Sequence, residues 1–318
     1  MKRALVFPGQ GSQAVGMGQA LAGAFAEARD VFQEVDEALS QHLTKMMFEG
    51  SVEDLKLTEN AQPALMAVSM AVIRVLDKQG NYRLPEAASF VAGHSLGEYS
   101  ALCAAGTFSL TDTARLLKKR GQAMQEAVPV GLGGMAALIG VDMAVAQEIA
   151  AEAEMGPDGK REVCTAANDN APGQVVISGH MDAVDRVMAI AATKGFKRSV
   201  KLPVSAPFHC SLMQPAADVM QKALSDVTMK APVVPLVANV TAEAVSNAED
   251  IRDLLVQQVT GAVRWRESVL YMKAQGVEQL VECGAGAVLA GLTKRIDKEI
   301  TALSLQTPED IEGFLKTI

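Results

Sequence analysis

The sequence predicts an α/β protein: one large domain interrupted by a small inserted one. Three observations predict it. An apolar strand-like run, Ser89-Phe90-Val91-Ala92, passes through Gly93-His94-Ser95-Leu96-Gly97 into a helix-like stretch that reaches Ala105. Beyond Pro129 the pattern runs strand, helix, strand, strand, helix, strand as far as Leu202, the order of a split βαβ (ferredoxin-like) unit. The last third then returns to strand-then-helix pairs, such as Leu280–Glu282 before Val288–Ile296. The expected division is 1–129 and 201–318 as two parts of the large α/β domain, with 130–200 as the small subdomain.

Composition bounds the classes of function. With 318 residues, 49% of them hydrophobic, the chain can bury a large core. A net charge of −8 argues against a general nucleic-acid binder. Cys103, Cys164, Cys210 and Cys283 are far apart and form no CxxC pair, which speaks against a zinc site or a disulfide framework. Lys2 and Arg3 precede an apolar run, Ala4 to Phe7, far too short for a signal peptide, and no stretch approaches a membrane span. A cytoplasmic protein with no metal is expected.

In chain order, Arg3–Phe7 reads as a buried strand broken by Pro8-Gly9-Gln10-Gly11-Ser12-Gln13. The glycine spacing fits neither GxGxxG nor a Walker A loop. Two readings remain: a tight strand-to-helix turn, or glycines that bring the backbone and a free amide on Gln10 close to a ligand. Residues 14–56 look helical, with His42 on the surface, and Glu59–Gln79 is a long apolar helix with Pro63 in its first turn.

Gly93–Gly97 is the context of a G-x-S-x-G nucleophile elbow: strand, serine between glycines, helix. Ser95 Oγ would stand at the strand's carboxyl end, with the Leu96 amide and a helix N-terminus facing a developing oxyanion. A plain glycine-rich turn is the competing reading.

In the helix predicted over Thr111–Ala127, Leu116, Leu117 and Met124 share one face, and Arg120 lies in its middle. A guanidinium there needs a partner. A structural ion pair, a snorkelling side chain and a fork awaiting a substrate carboxylate all fit.

Gly131–Gly134 reads as a hinge, followed by strand Met135–Ile139, helix Asp142–Glu154, strands Glu162–Ala166 and Gln174–Ser178, helix Asp182–Lys194 and strand Arg198–Leu202. Pro203–Cys210 crosses back as a stiff, extended segment ending at His209, just before a helix-like run, Ser211–Leu224. His94 adjoins Ser95, where neighbouring side chains diverge, and His180 sits at a strand end of the insert. Elimination leaves His209 as the base for Ser95, against the reading of a satisfied core histidine. Val233–Val237 is a predicted strand and Ile251–Val259 a helix holding Gln258.

Together these motifs carry a resemblance. Phe7-Pro8-Gly9-Gln10-Gly11-Ser12-Gln13, Gly93-His94-Ser95-Leu96-Gly97-Glu98, Arg120-Gly121, Asn168 with Pro172-Gly173-Gln174, Pro207-Phe208-His209, Gln258 leading to Val263-Arg264-Trp265, and Glu282-Cys283-Gly284 follow in order. The chain resembles the malonyl-CoA:acyl carrier protein transacylases of bacterial fatty acid synthesis and, more broadly, the acyltransferase domains of fatty acid and polyketide synthases.

The resemblance implies an α/β-hydrolase-like large domain with a parallel-rich sheet and a ferredoxin-like insert. It also implies a malonyl-serine at Ser95, activation by His209, and orientation of His209 by the backbone carbonyl of Gln258. The amides of Gln10 and Leu96 would form the oxyanion hole, and Arg120 would pair with the malonyl carboxylate. Phe208 stands where some relatives carry serine; by analogy with modular synthases its ring favours malonyl over methylmalonyl. The implied partners are malonyl-CoA and holo acyl carrier protein, with no cofactor, nucleic acid or membrane, and the protein is expected to be a monomer. Because carrier proteins are acidic, docking would need a local basic patch. Candidates are Lys194-Gly195-Phe196-Lys197-Arg198 with Lys201, and Lys294-Arg295 with Lys298. A serine hydrolase is the rival class, although the sequence identifies no triad carboxylate; a non-catalytic scaffold is a further one.

Overall fold

A computed structural model describes residues 1–204 and 206–317. The chain opens with β1 (Arg3–Phe7), then four helices, α1 (Gln19–Ala24), α2 (Ala26–Leu39), α3 (Leu43–Glu49) and α4 (Val52–Lys56). The long α5 (Thr58–Gly80), a single turn α6 (Leu84–Ala87), β2 (Phe90–Gly93), α7 (Gly97–Ala104) and α8 (Leu110–Glu126) complete this part. The next strands and helices are β3 (Gly133–Ile139), α9 (Met143–Ala153), β4 (Cys164–Ala171), β5 (Gln174–His180), α10 (Met181–Thr193) and β6 (Arg198–Lys201). The last part comprises α11 (Gln214–Ser225), β7 (Leu236–Val237), β8 (Ala244–Val245), α12 (Ala248–Thr260), α13 (Trp265–Ala274), β9 (Gln279–Cys283), α14 (Val288–Ile296), β10 (Thr301–Leu305) and α15 (Pro308–Leu315).

The first and last parts share a six-stranded sheet ordered β10-β9-β1-β2-β7-β8, parallel except for the β7–β8 pair. Its central strands β1 and β2 are apolar and almost wholly buried, as parallel strands covered by helices on both faces must be. The four-stranded sheet between them, β4-β5-β3-β6, is antiparallel throughout and has α9 and α10 packed on it around its own core, including Leu138, Ile149, Ile177 and Val187. The expected α/β class, with a parallel-rich large sheet and a β-α-β-β-α-β insert, is the fold observed.

The helix ends follow their side chains. Ser51, Ser109 and Asn247 each accept a backbone amide at the start of α4, α8 and α12, and Thr307 with Asp310 forms a capping box on α15. Helices α5 and α8 cross closely because Gly121 has no side chain; a Cβ there would lie 2.5 Å from the Glu59 Cα. That approach brings Arg120 of α8 beside Gln62 of α5.

Several local expectations are corrected. Pro63 lies in the second turn of α5, not the first, and its missing amide leaves the Glu59 carbonyl without its intrahelical donor. The predicted strand Val233–Val237 is reduced to Leu236–Val237, since Pro235 cannot donate to a ladder. Strand β4 extends through Asn168-Asp169-Asn170 to Ala171, which register shifts at Ala166/Asn168 and Asp169/Ala171 make possible despite the polar run. Gly133 and Gly134 belong to β3 and not to a hinge. The Pro203–Cys210 segment is not extended throughout: His209 adopts φ +60° in a turn, while Ser205 lies outside the described residues.

Candidate active site

Because β1 and β2 are parallel neighbours, with Phe7 opposite Gly93, the loops at their carboxyl ends lie side by side. Ser95 follows β2 with φ +54°, a left-handed conformation rare for a residue with a side chain. The flanking glycines are required by space. A Cβ on Gly93 would sit 1.9 Å from the Gly97 carbonyl carbon, and one on Gly97 would sit 2.2 Å from the Phe7 carbonyl oxygen. The elbow therefore holds Ser95 Oγ proud of the sheet at the N-terminus of α7.

His209 Nε2 lies 2.8 Å from Ser95 Oγ. On the far side of the ring, Nδ1 is 2.9 Å from the Gln258 carbonyl oxygen and 3.2 Å from that of Gly261. Carbonyls only accept, so the ring proton resides on Nδ1 and Nε2 is free to accept from the serine hydroxyl. Burial, and then the Arg120 charge, pushes the His209 pKa down to about 3, so the imidazole is neutral at ordinary pH. That is the protonation state a general base requires.

Arg120 is 1% exposed. Its Nη1 donates to Gln62 Oε1 at 2.8 Å, and Nη2 to Gln258 Oε1 at 2.7 Å and Ser95 Oγ at 3.2 Å. The Tyr99 ring lies 5.6 Å from the guanidinium carbon. Among the described residues no carboxylate forms an ion pair with Arg120, and it does not snorkel to the surface. Two of the three sequence readings therefore fall away, leaving a charged fork held by neutral partners. Burial lowers its pKa, but a guanidinium does not lose its proton under such conditions.

Comparison with known proteins decides the family. The model of the acyl transferase domain matches residues 4–305. The chain belongs to the acyl transferase family. It is 46% identical over 313 residues to the malonyl CoA-acyl carrier protein transacylase of Escherichia coli K12, covering 98% of each chain. With the enzyme of that name from Bacillus subtilis it shares 41% over 318 residues, covering 100% of this chain and 97% of the relative. The crystal structure of acyl-carrier-protein-S-malonyltransferase from Bartonella henselae superimposes with a TM-score of 0.95 at 56% identity, covering 100% and 99% of the two chains. A malonyl-transacylase solved in complex with a type II polyketide acyl-carrier protein matches with a TM-score of 0.95 at 40% identity over both full chains.

In this acyl transferase, Gln10, Ser95, Leu96, Arg120, Phe208 and His209 all line one cleft of about 340 Å³. Gln258 is fully buried behind it and reaches the site through its contacts with His209, Arg120 and Ser95. Among the described residues, the backbone amides of Gln10 and Leu96 meet no acceptor. The opposite wall comes from the four-stranded sheet, through Met135, Asn168, Asn170 and Val176.

His94 also lines this cleft, but its Nε2 engages Asn170 Oδ1 at 2.8 Å, away from the serine. His180 accepts from the Val163 amide, and His42 is exposed. Of the basic candidates, Lys194 pairs with Glu152 at 3.0 Å and Lys201 with Asp185 at 2.6 Å, while Arg295 binds Gln174 and the Pro172 carbonyl.

Two residues to which the sequence assigns no role also belong to the site. Glu98 is buried at the start of α7 and accepts from Gln258 Nε2 at 2.7 Å; burial pushes its pKa up to about 7. Asn239 touches the elbow itself. Glu98 is visible in the sequence as the one charged residue of α7. Asn239 carries no local signal beyond its place just after β7, at the sheet edge where α/β sites form.

Proposed function

We propose that this acyl transferase moves a malonyl group from malonyl-CoA to the phosphopantetheine thiol of an acyl carrier protein, through a malonyl ester on Ser95. Arg120 carries this reading. A permanently charged, bidentate donor is buried in the cleft with neutral hydrogen-bond partners, and one of its nitrogens is 3.2 Å from the nucleophile. The acid whose charge it feels, Glu98, is bonded to Gln258 and pushed up to about 7 by burial. A substrate that brings its own carboxylate next to the reacting carbonyl supplies the missing counter-charge.

In the first half-reaction His209 Nε2 takes the Ser95 proton as Oγ attacks the thioester carbonyl. The oxyanion is held by the amides of Gln10 and Leu96, each worth about 3 kcal/mol by the general behaviour of such donors. The C–S bond then breaks, and the imidazolium returns its proton to the departing coenzyme A sulfur. In the second half the pantetheine thiol gives its proton to His209, attacks the ester, and Ser95 leaves with that proton. The Gln258 and Gly261 carbonyls keep the imidazole in the tautomer needed throughout, the part a carboxylate plays in hydrolase triads. Phe208, which lines the cleft, narrows the space beside the malonyl methylene and disfavours a branch.

Nucleophile, base, oxyanion donors and carboxylate anchor all belong to the chain, so the reaction as proposed uses no cofactor. Among the described residues no helix is long and apolar enough to cross a membrane. We take the protein to be a cytoplasmic monomer that supplies the extender unit of fatty acid synthesis.

Intact-protein mass after brief mixing with malonyl-CoA tests the reading. A malonyl-sized adduct on the wild type, absent from Ser95→Ala and discharged by holo carrier protein, is expected. An adduct that water discharges equally fast would instead make the protein a hydrolase.

A further inference from the structure

Asn239 is fully buried, does not line the cleft, and yet contacts the nucleophile turn twice. Its Nδ2 donates to the Gly93 carbonyl at 2.7 Å, and its Oδ1 accepts from the Ser95 amide at 2.8 Å. The two contacts straddle His94, so one side-chain amide spans the tightest part of the elbow. Turning that amide over would set oxygen against oxygen and N–H against N–H, so the pairing has one orientation only.

The remaining polar groups of the turn are also paired. The His94 amide donates to the Phe7 carbonyl at 3.0 Å, and the His94 carbonyl accepts from Gly97 at 2.9 Å. The Ser95 carbonyl accepts from Gln258 Nε2 at 2.9 Å and from the Glu98 amide at 3.0 Å. The next group along the chain is the Leu96 N–H, which has no acceptor among the described residues. In a trans peptide the N–H points opposite to the C=O. Holding the Ser95 carbonyl toward Gln258 therefore aims the Leu96 N–H the other way, toward the cleft that Leu96 lines.

This arrangement depends on Ser95 staying at φ +54°, a conformation that a residue with a side chain leaves readily unless its surroundings hold it there. Asn239 is itself fixed: its amide donates to Glu98 Oε2 at 3.3 Å, and its carbonyl accepts from the Arg264 amide at 3.0 Å. We infer that Asn239 is a positioning residue for acyl transfer: it clamps the Ser95 turn and so sets the direction of both Oγ and the Leu96 oxyanion donor. The inference rests on Ser95 being the nucleophile, as proposed above.

Asn239→Asp keeps the acceptor for the Ser95 amide but places an oxygen opposite the Gly93 carbonyl. Asn239→Ser is too short to span the turn. Rapid-quench measurement of malonyl-Ser95 formation at saturating malonyl-CoA, with thermal melts of each variant, reads the effect. Malonyl-CoA binding, measured in the Ser95→Ala background, separates positioning from collapse of the cleft. Acylation is expected to slow at least tenfold in both variants, with the dissociation constant changed less than twofold and a cooperative melt retained. Unchanged acylation overturns the inference, as does binding that weakens in step with the rate. Loss of a cooperative melt in both variants would make Asn239 a folding residue and overturn it equally. A wild type that forms no adduct would count against the Ser95 reading itself, whereas a normal wild type with normal variants sinks only the role of Asn239.

Discussion

The two sheets meet at one cleft and contribute to it differently. In the six-stranded sheet the parallel neighbours β1, β2 and β7 end on the same side, so Gln10, Ser95 and Asn239 arrive together although they are far apart in sequence. In the four-stranded sheet the strands alternate in direction, so their ends do not converge, and the sheet offers part of a face: Met135, Asn168, Asn170 and Val176. Parallel topology gathers reactive groups at a point, whereas antiparallel topology supplies a wall. Changes on the large-sheet side should therefore alter chemistry, and changes on the small-sheet side should alter binding and access.

The largest effect is expected from Ser95→Ala and His209→Ala. Either should abolish the acyl-enzyme and lower kcat by about 10⁴-fold or more, read by steady-state transfer to carrier protein. A malonyl adduct persisting on Ser95→Ala would place the nucleophile elsewhere. Next comes Arg120→Ala, where loss of a buried charged anchor costs about 2–5 kcal/mol in kcat/KM for malonyl-CoA. Acetyl-CoA should be affected far less, so the preference for malonyl disappears; an unchanged preference would remove Arg120 from substrate recognition.

Titration sharpens the chemical side of the comparison. The folded-state pKa of His209, about 3, lies below its ordinary value of 6.5, so this group favours the folded state above pH 6.5 and loses that contribution as pH falls toward 3. The base itself should stay neutral across that window. Within the site, Glu98, pushed up to about 7 by burial, is the carboxyl that titrates near neutrality. In Glu98→Gln, acylation should therefore remain level from pH 8 down to pH 5. A decline centred near 6.5 would mean that the His209 pKa is not depressed.

Smaller effects are expected on the wall. Asn170→Ala removes the 2.8 Å bond to His94 that ties β4 to the elbow loop, and should raise KM for malonyl-CoA a few-fold with kcat nearly unchanged. A large fall in kcat would put the small sheet in the chemistry and break the division of roles. Charge reversal at Lys197 and Arg198 is the mildest change. It should raise KM for carrier protein a few-fold and leave that for malonyl-CoA alone, with a salt dependence typical of surface charges.

How much of this was legible depends on how local each constraint is. The turn around Ser95 could be read from Gly93–Gly97 together with its strand and helix flanks, because the demands of such a turn are steric and short-range: Gly93 and Gly97 have no room for a side chain. Arg120 stands out as a charge on an apolar helix face, but its neutral partners, Gln62 of α5 and Gln258 of α12, are set by tertiary packing and are not legible in the sequence. His209 was reached by elimination. Gln10 and Gln258 were assigned through resemblance, since a backbone amide or carbonyl leaves no mark on residue identity.

The order of α and β elements, the β-α-β-β-α-β insert, the tight glycine-flanked turn at Ser95 and the need to satisfy a guanidinium on an apolar helix face are all written in the sequence. Those follow from periodicity, glycine spacing and burial, which act over a few residues. Which groups brace the site follows from long-range packing instead. The bond from Asn239 to the Ser95 amide closes a separation of 144 residues, and that from Gln258 to the Ser95 carbonyl closes 163. Asn239 arrives just after β7, where parallel strand ends converge, and Gln258 arrives on the last turn of α12, and no local pattern encodes either contact.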